Sequence, residues 1–278
     1  MDEEDTRSQA CWSRRDPRSS SCWEDPIVTG VLPVALEDAT KIVQAFLLSG
    51  KEYVCMMILH GEVADEELRR VLEEFTGEIH QKPPLRASVK RESRKRIIYY
   101  LDLLERDDNR VLFRVGCQAG TYIRKLCSDI GDVLGTGAHM QELRRTRSGP
   151  FTDAAGLHTL HELVDAQARF LEGDEAMLRK LVRPVEEALE YVPKIWIRDS
   201  AVDAVCHGAS LAIPGIVSVE DPFQKDSTTA IMTLKNEAVA LATSHMSSES
   251  MIQQEKGIAA KVMRVLMPRG TYPKMWRD

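Results

Sequence analysis

Asp25-Pro26 heads the stretch "DPIVTG" and is the first place in the chain where chemistry could reside. Aspartate before proline is a common helix start, the carboxylate capping backbone N–H groups and the proline taking the first helical position. In a closed pocket the same carboxylate is a nucleophile or a base. From these two residues alone, both readings stand. Cationic side chains gather elsewhere. "KPPLRASVKRESRKR", Lys82 to Arg96, holds seven basic residues and one acid, and "LRRTRSG" adds Arg144, Arg145 and Arg147. Such runs form either a solvated face or a surface for phosphates. None of the seven histidines is spaced with cysteines or acids as a metal site requires, and no glycine-rich phosphate loop is present. His158 and His161, three apart, are expected on a helix surface.

The elements that must position these residues follow from pattern. A chain of 278 residues with 43% apolar and 29% charged side chains can bury a sizeable core, in one large domain or two ordinary ones. The net charge of −6 conceals strong segregation, with acids concentrated in "DEEDTR", "ADEELRRVLEEF" and "EGDEAM". Six cysteines without a CxxC pair argue against a zinc or disulfide framework and read as reduced thiols of a cytoplasmic protein. No apolar run is long enough to span a bilayer.

Residues 1–22 are polar and aperiodic, and disorder is expected there. A short helix is expected from Leu36 to Leu48, stopped by Gly50, and a buried strand over "KEYVCMMIL". "ADEELRRVLEEFTG" is an amphipathic helix with Leu68, Val71, Leu72 and Phe75 on one face, Asp65 as its cap and Gly77 as its end. "RIIYYLDLLERDDNRVLFRVGC" reads as two strands turning at Asp107-Asp108-Asn109. In "GTYIRKLCSDIGDVLG" helical spacing places Ile123, Leu126, Cys127 and Ile130 together, and a further helix is expected from Glu175 to Leu189. Beyond Pro193, short strands and turns predict a small β-rich domain. The expected fold is α+β: a body of catalytic size over 23–192, then a β-rich module over 193–278.

Taken in order, "DPIVTGVLPVALEDATK", "KEYVC", "QKPPLRASVKR", "CQAGTYIRKLCSDIG" and "MQELRRTRSG" resemble the TruB/dyskerin family of pseudouridine synthases, in its archaeal guide-RNA-dependent branch. "DSAVDAVCHGASLAIPGI" and "RGTYPKMWRD" resemble that family's C-terminal PUA domain, an RNA-binding module. The resemblance covers Asp25 to Asp278. It implies a mixed-sheet catalytic domain over 23–192 that isomerises uridine to pseudouridine, with Asp25 as the catalytic carboxylate and Arg124 as its ion-pair partner. Tyr53 would stack on the flipped uracil, Tyr122 would be a second pocket tyrosine, and Leu143 the apolar wall. Lys90, Arg144, Arg145 and Arg147 would hold phosphates, which set affinity and register. No cofactor is implied. The implied partners are tRNA at its T-loop uridine, rRNA, H/ACA guide RNA and accessory ribonucleoprotein proteins.

The chain departs from the family ahead of the aspartate. Where members read G-H-x-G-T-L-D-P, Ser20 stands in place of the histidine, Cys22 in place of the second glycine, and Trp23-Glu24 in place of Thr-Leu. A Cβ where glycine permits a tight bend would require the loop to move, and Glu24 would set a second carboxylate beside Asp25, an expected cost to its chemistry. Family members also have a longer N-terminal region with a Lys-Pro strand. The resemblance thus implies an N-terminally truncated or altered member. The alternative expectation is an RNA-binding protein that has lost turnover.

Overall fold

A computed structural model describes residues 28–82 and 92–274. Asp25, Lys90 and the expected disorder of residues 1–22 lie outside them. In chain order the elements are β1 (Val28–Gly30), a 3-10 turn (Glu37–Ile42), α1 (Val43–Leu47), β2 (Lys51–Leu59), α2 (Asp65–Glu74), β3 (Gly77–Gln81), β4 (Arg94–Asp107), β5 (Arg110–Cys117), α3 (Ile123–Val133) and β6 (Ala138–Ser148). Then follow β7 (Phe151–Thr152), α4 (Leu160–Leu171), α5 (Ala176–Leu181), α6 (Val185–Ala188), β8 (Lys194–Ile197), α7 (Asp199–Cys206), β9 (Leu211–Ala212) and β10 (Ile216–Val219). β11 (Thr228–Met232), β12 (Ala238–Ser244), α8 (Ser248–Gln253) and β13 (Ile258–Val265) complete the chain. The architecture is α+β, as expected.

A first sheet runs β1-β6-β2-β5-β4-β3, with β7 beside β6. A second runs β10-β8-β11-β12-β13-β9, and within it only the pair β8 and β11 is recorded as parallel, the other described pairings being antiparallel. The described residues divide into two compact units. One comprises Val28, Thr29 and Tyr53–Arg145, and the other Gly30–Glu52 with Thr146 to Lys274.

The core of the first unit follows from alternation along β2. Cys55, Met57 and Leu59 are buried and the residues between them less so, which is how a strand with one interior face reads. α2 and α3 add Leu68, Val71, Leu72, Ile123, Leu126, Cys127 and Ile130 to the same cluster. The long pair β4 and β5 turns at Asp108, whose φ of 52° is the left-handed conformation that a tight hairpin asks of Asn, Asp or Gly.

Two local expectations are corrected. Asp65 is not the cap of α2; the cap position is Ala64, and the Asp65 carboxylate pairs with the Arg106 guanidinium, which also donates to the Val63 carbonyl. The helix expected over Glu175–Leu189 is two short helices, α5 and α6, because Pro184 clashes with helical geometry at the residue before it and lacks a donor. α4 carries His161, exposed on its surface as expected, while His158 lies just before the helix; the extent of α4 was not anticipated. Its signal lies in "TLHE": the Thr159 hydroxyl accepts from the Glu162 N–H and the Glu162 carboxylate accepts from the Thr159 N–H, a complete capping box.

In the second unit the β-rich expectation holds. Ile195, Ile197, Ile231, Val239, Ala240, Ala242 and Ala259 fill the space between the sheet and α7. A further cluster joins Ile42, Leu189, Val192, Ala230 and Met232, which is why Gly30–Glu52 and the α6 segment belong with this sheet.

Candidate active site

Tyr53 lies on β2 with the same parity as Cys55, Met57 and Leu59, so it shares their interior face. It sits near the start of the strand, half-buried and packed against the edge of the core. α3 supplies the next two residues. Tyr122 is its cap residue, half-buried, with extended backbone at φ −93°, and Arg124 is exposed in its first turn. The helix faces the core through Ile123, Leu126, Cys127 and Ile130, which leaves Arg124 to project from it.

The two elements meet directly. Cys55 Sγ on β2 lies 3.6 Å from Cys127 Sγ on α3, and both side chains are fully buried. Hydrogen bonding to Cys127 and burial together push the Cys55 thiol far above the ordinary cysteine range, so it is a packing group here. Cys55 is two residues from Tyr53, and Cys127 is one helical turn from Arg124. The contact therefore ties together the supports of both.

β6 brings Leu143 into the same core, at 7% exposure. Arg144 next to it is exposed, as a phosphate contact requires. Arg145, on the Leu143 face of the strand, is only 9% exposed. Arg147 belongs to the second unit, where it lines a cavity of about 300 Å³ with Gly149, Pro150, Glu190 and Tyr191. Burial pushes the Tyr191 hydroxyl up to about 12. Thus Tyr53, Tyr122, Arg124 and Leu143 are held on three elements around one core.

Sequence reading missed what holds the segment leading into α3. Gln118 N–H donates to the Ile97 carbonyl, the Thr121 hydroxyl donates to the Gln118 carbonyl, and Arg96 Nε donates to the Gly120 carbonyl at 3.1 Å. Gly120 has a φ of +79°, and a Cβ there would stand 3.1 Å from an Arg96 guanidinium nitrogen. The Gln81 side chain meets the Tyr122 backbone. The signals were present in "QKPP" and "RKR", but neither residue type nor spacing names a partner 24 or 41 positions away.

The second unit has a basic recess of about 360 Å³ at the end of α7, lined by Lys41, His207, Gly208, Met267 and Arg269 among others. No helix among the described residues is long and apolar enough to cross a membrane.

Family models match three stretches: Pus10 C-terminal over residues 27–147, tRNA pseudouridylate synthase B C-terminal domain over 124–190, and the PUA domain over 193–266. They define the class, a pseudouridine synthase body followed by a PUA module. Among relatives, the probable tRNA pseudouridine synthase B of Methanopyrus kandleri is 58% identical over 91% of this chain and 75% of its own length. That of Pyrococcus abyssi is 56% identical over 91% and 76%. A chain in the crystal structure of a Cbf5-Nop10-Gar1 complex superposes with a TM-score of 0.87 at 54% identity, covering 91% of this chain and 77% of that one. A chain in an H/ACA RNP bound to a substrate RNA containing 2'-deoxyuridine gives 0.84 at 52% identity, with coverage of 91% and 77%. The chain belongs to the tRNA pseudouridine synthase B family.

Proposed function

We propose that the protein isomerises uridine to pseudouridine in RNA, at the T-loop uridine of tRNA and/or, with an H/ACA guide RNA, in rRNA. The observation that carries this reading is the gathering of Tyr53, Tyr122, Arg124 and Leu143 around one core by β2, α3 and β6. The reaction breaks the N1–C1′ bond, turns the base and rejoins it through C5. Asp25 serves as the carboxylate, attacking C1′ or removing a sugar proton. Arg124 holds it ionised through a planar, two-pronged contact. Tyr53 receives the extruded uracil on its ring, Tyr122 flanks it, and Leu143 keeps water out. Lys90, Arg144, Arg145 and Arg147 contact phosphates. The 193–278 module grips RNA through its basic recess. Relatives occur in complexes with Nop10, Gar1 and RNA, and the same kinds of partner are proposed here, in the cytoplasm.

A second reading is favoured by one specific observation. Ser20, Cys22 and Trp23-Glu24 replace the family's residues ahead of Asp25, and a chain so altered could bind RNA without turning over. One assay separates the two. Tritium release from 5-tritiated uridine in a tRNA transcript is followed for the protein alone, then with guide RNA and accessory proteins, beside Asp25→Asn. Release that vanishes in the variant is the expected result. A folded protein that binds RNA and releases nothing in any mixture would establish the binding-only reading.

A further inference from the structure

We infer that Gln81 is a positioning residue for the uridine pocket, its buried amide fixing the Tyr122 backbone and with it the start of α3. The inference rests on the pseudouridine synthase reading above.

Gln81 is the last residue of β3 and is 3% exposed, unusual for a glutamine. Its Oε1 accepts from the Tyr122 N–H at 3.0 Å, and its Nε2 donates to the Tyr122 carbonyl at 3.2 Å. Only one orientation of the amide satisfies both groups, since the backbone presents one donor and one acceptor. Tyr122 needs this contact because of where it sits. It is the cap residue of α3, yet no side chain caps that helix. Its carbonyl takes the first helical bond, from Leu126 N–H at 3.0 Å, and Gln81 uses the remaining acceptor capacity. Gln81 thus does from a separate strand what a cap does from within a helix.

The consequence falls on the site residues. With both backbone polar groups of Tyr122 held, its φ and ψ are constrained, and with them the Cα–Cβ bond from which its side chain departs. Arg124 follows two residues later on a helix whose first turn cannot fray while the clasp is closed. Arg96 holds Gly120 two residues earlier, so the approach to α3 is anchored from β3 and from β4. Gln81 itself touches no reacting atom in this account. It acts through Tyr122 and Arg124.

The chemistry of glutamine suggests its own test. In Gln81→Glu the protonated carboxyl has the same donor and acceptor pattern as the amide, whereas the carboxylate turns a second acceptor toward the Tyr122 carbonyl. The charged and titratable groups on β3 and β4 around it are Glu78, His80, Arg94, Lys95 and Arg96, with Lys82 next in the chain; the excess of cations favours the carboxylate, while burial of the site favours the protonated form. Gln81→Met keeps the volume and loses both bonds. Single-turnover rates at saturating RNA are measured across pH for wild type and both variants, with RNA affinity and melting temperature alongside. Gln81→Met is expected to be slower at every pH by about tenfold or more. Gln81→Glu should approach wild type on acidification and approach Gln81→Met as pH rises, with RNA affinity unchanged. A variant-to-wild-type ratio flat in pH, or rates unchanged once melting is accounted for, overturns the inference.

Should wild type itself release no tritium, it is the pseudouridine synthase reading that fails. Hydrogen exchange of the 118–126 peptide then decides the clasp. Faster exchange in Gln81→Met at unchanged melting temperature upholds it, and unchanged exchange sinks it.

Discussion

Arg124 and lysine would carry the same charge at this position, yet they are not equivalent for the proposed chemistry. A guanidinium makes two parallel, planar contacts with a carboxylate, while an ammonium is a compact, strongly hydrated point charge. Arg124 is exposed on α3, outside the buried face of Ile123, Leu126 and Cys127, so Arg124→Lys should leave the fold intact. The loss is one charge-assisted hydrogen bond and its geometry, about 1.5–3 kcal/mol. The expected result is a fall of roughly 10- to 100-fold in the tritium-release rate with RNA affinity unchanged. An unaltered rate would remove Arg124 from the catalytic group. At this scale the sequence was informative about residue identity and silent about burial. "LRRTRSG" offers three arginines alike, and only the strand's two faces separate exposed Arg144 from buried Arg145.

Elements were legible where one periodicity ran uninterrupted. The apolar run of β2, the face of α2 and the helical spacing of α3 are set by burial against one core, and burial is what hydrophobic pattern records. The extent of α4 escaped, beyond the helix surface expected at His161, because of its 12 residues only Ala166 is buried, which leaves little apolar stripe to read. Its definition comes from the Thr159–Glu162 capping box. The clasp at Gln81 escaped for a different reason: it is a contact at long sequence separation, which no local pattern encodes. The packing of α3 yields a sharper prediction. Gly131 faces the chain just before and at the start of β6, and a Cβ there would lie 2.1 Å from the Ala138 nitrogen and 2.5 Å from the Gly137 carbonyl carbon. Those are backbone atoms and cannot swing aside. Gly131→Ala gains about 1 kcal/mol in helix propensity, but overpacking costs typically 1–3 kcal/mol and more when backbone must move. A net loss is expected, read as a lower melting temperature. A melting temperature that rises would mean the helix moves away from β6 at little cost.

The molecule as a whole should be most stable near neutral pH, and one pair in the second unit contributes at both ends. Tyr272 donates its hydroxyl to the Glu237 carboxylate at 2.7 Å. That bond, with the one from the Thr233 hydroxyl, holds the Glu237 carboxyl below the usual range. The same carboxylate raises the Tyr272 hydroxyl above its ordinary value. A depressed carboxyl contributes stability that is present above its unfolded pKa and lost as pH falls through the folded one. A raised phenol contributes stability that is present below its unfolded pKa and lost as pH rises through the folded one. Tyr272→Phe should therefore lower the melting temperature at neutral pH and differ less from wild type toward acid and toward strong base. A pH-independent difference would assign Tyr272 to packing alone. The Cys55–Cys127 contact has a consequence of another kind. A thiol reagent in solution cannot reach either sulfur while α3 lies on β2, so the alkylation rate read at Cys55 and Cys127 themselves counts the moments when helix and strand part. The chain carries its own clock for that motion, placed directly behind Tyr53 and Arg124, and an RNA that engages the pocket should slow it.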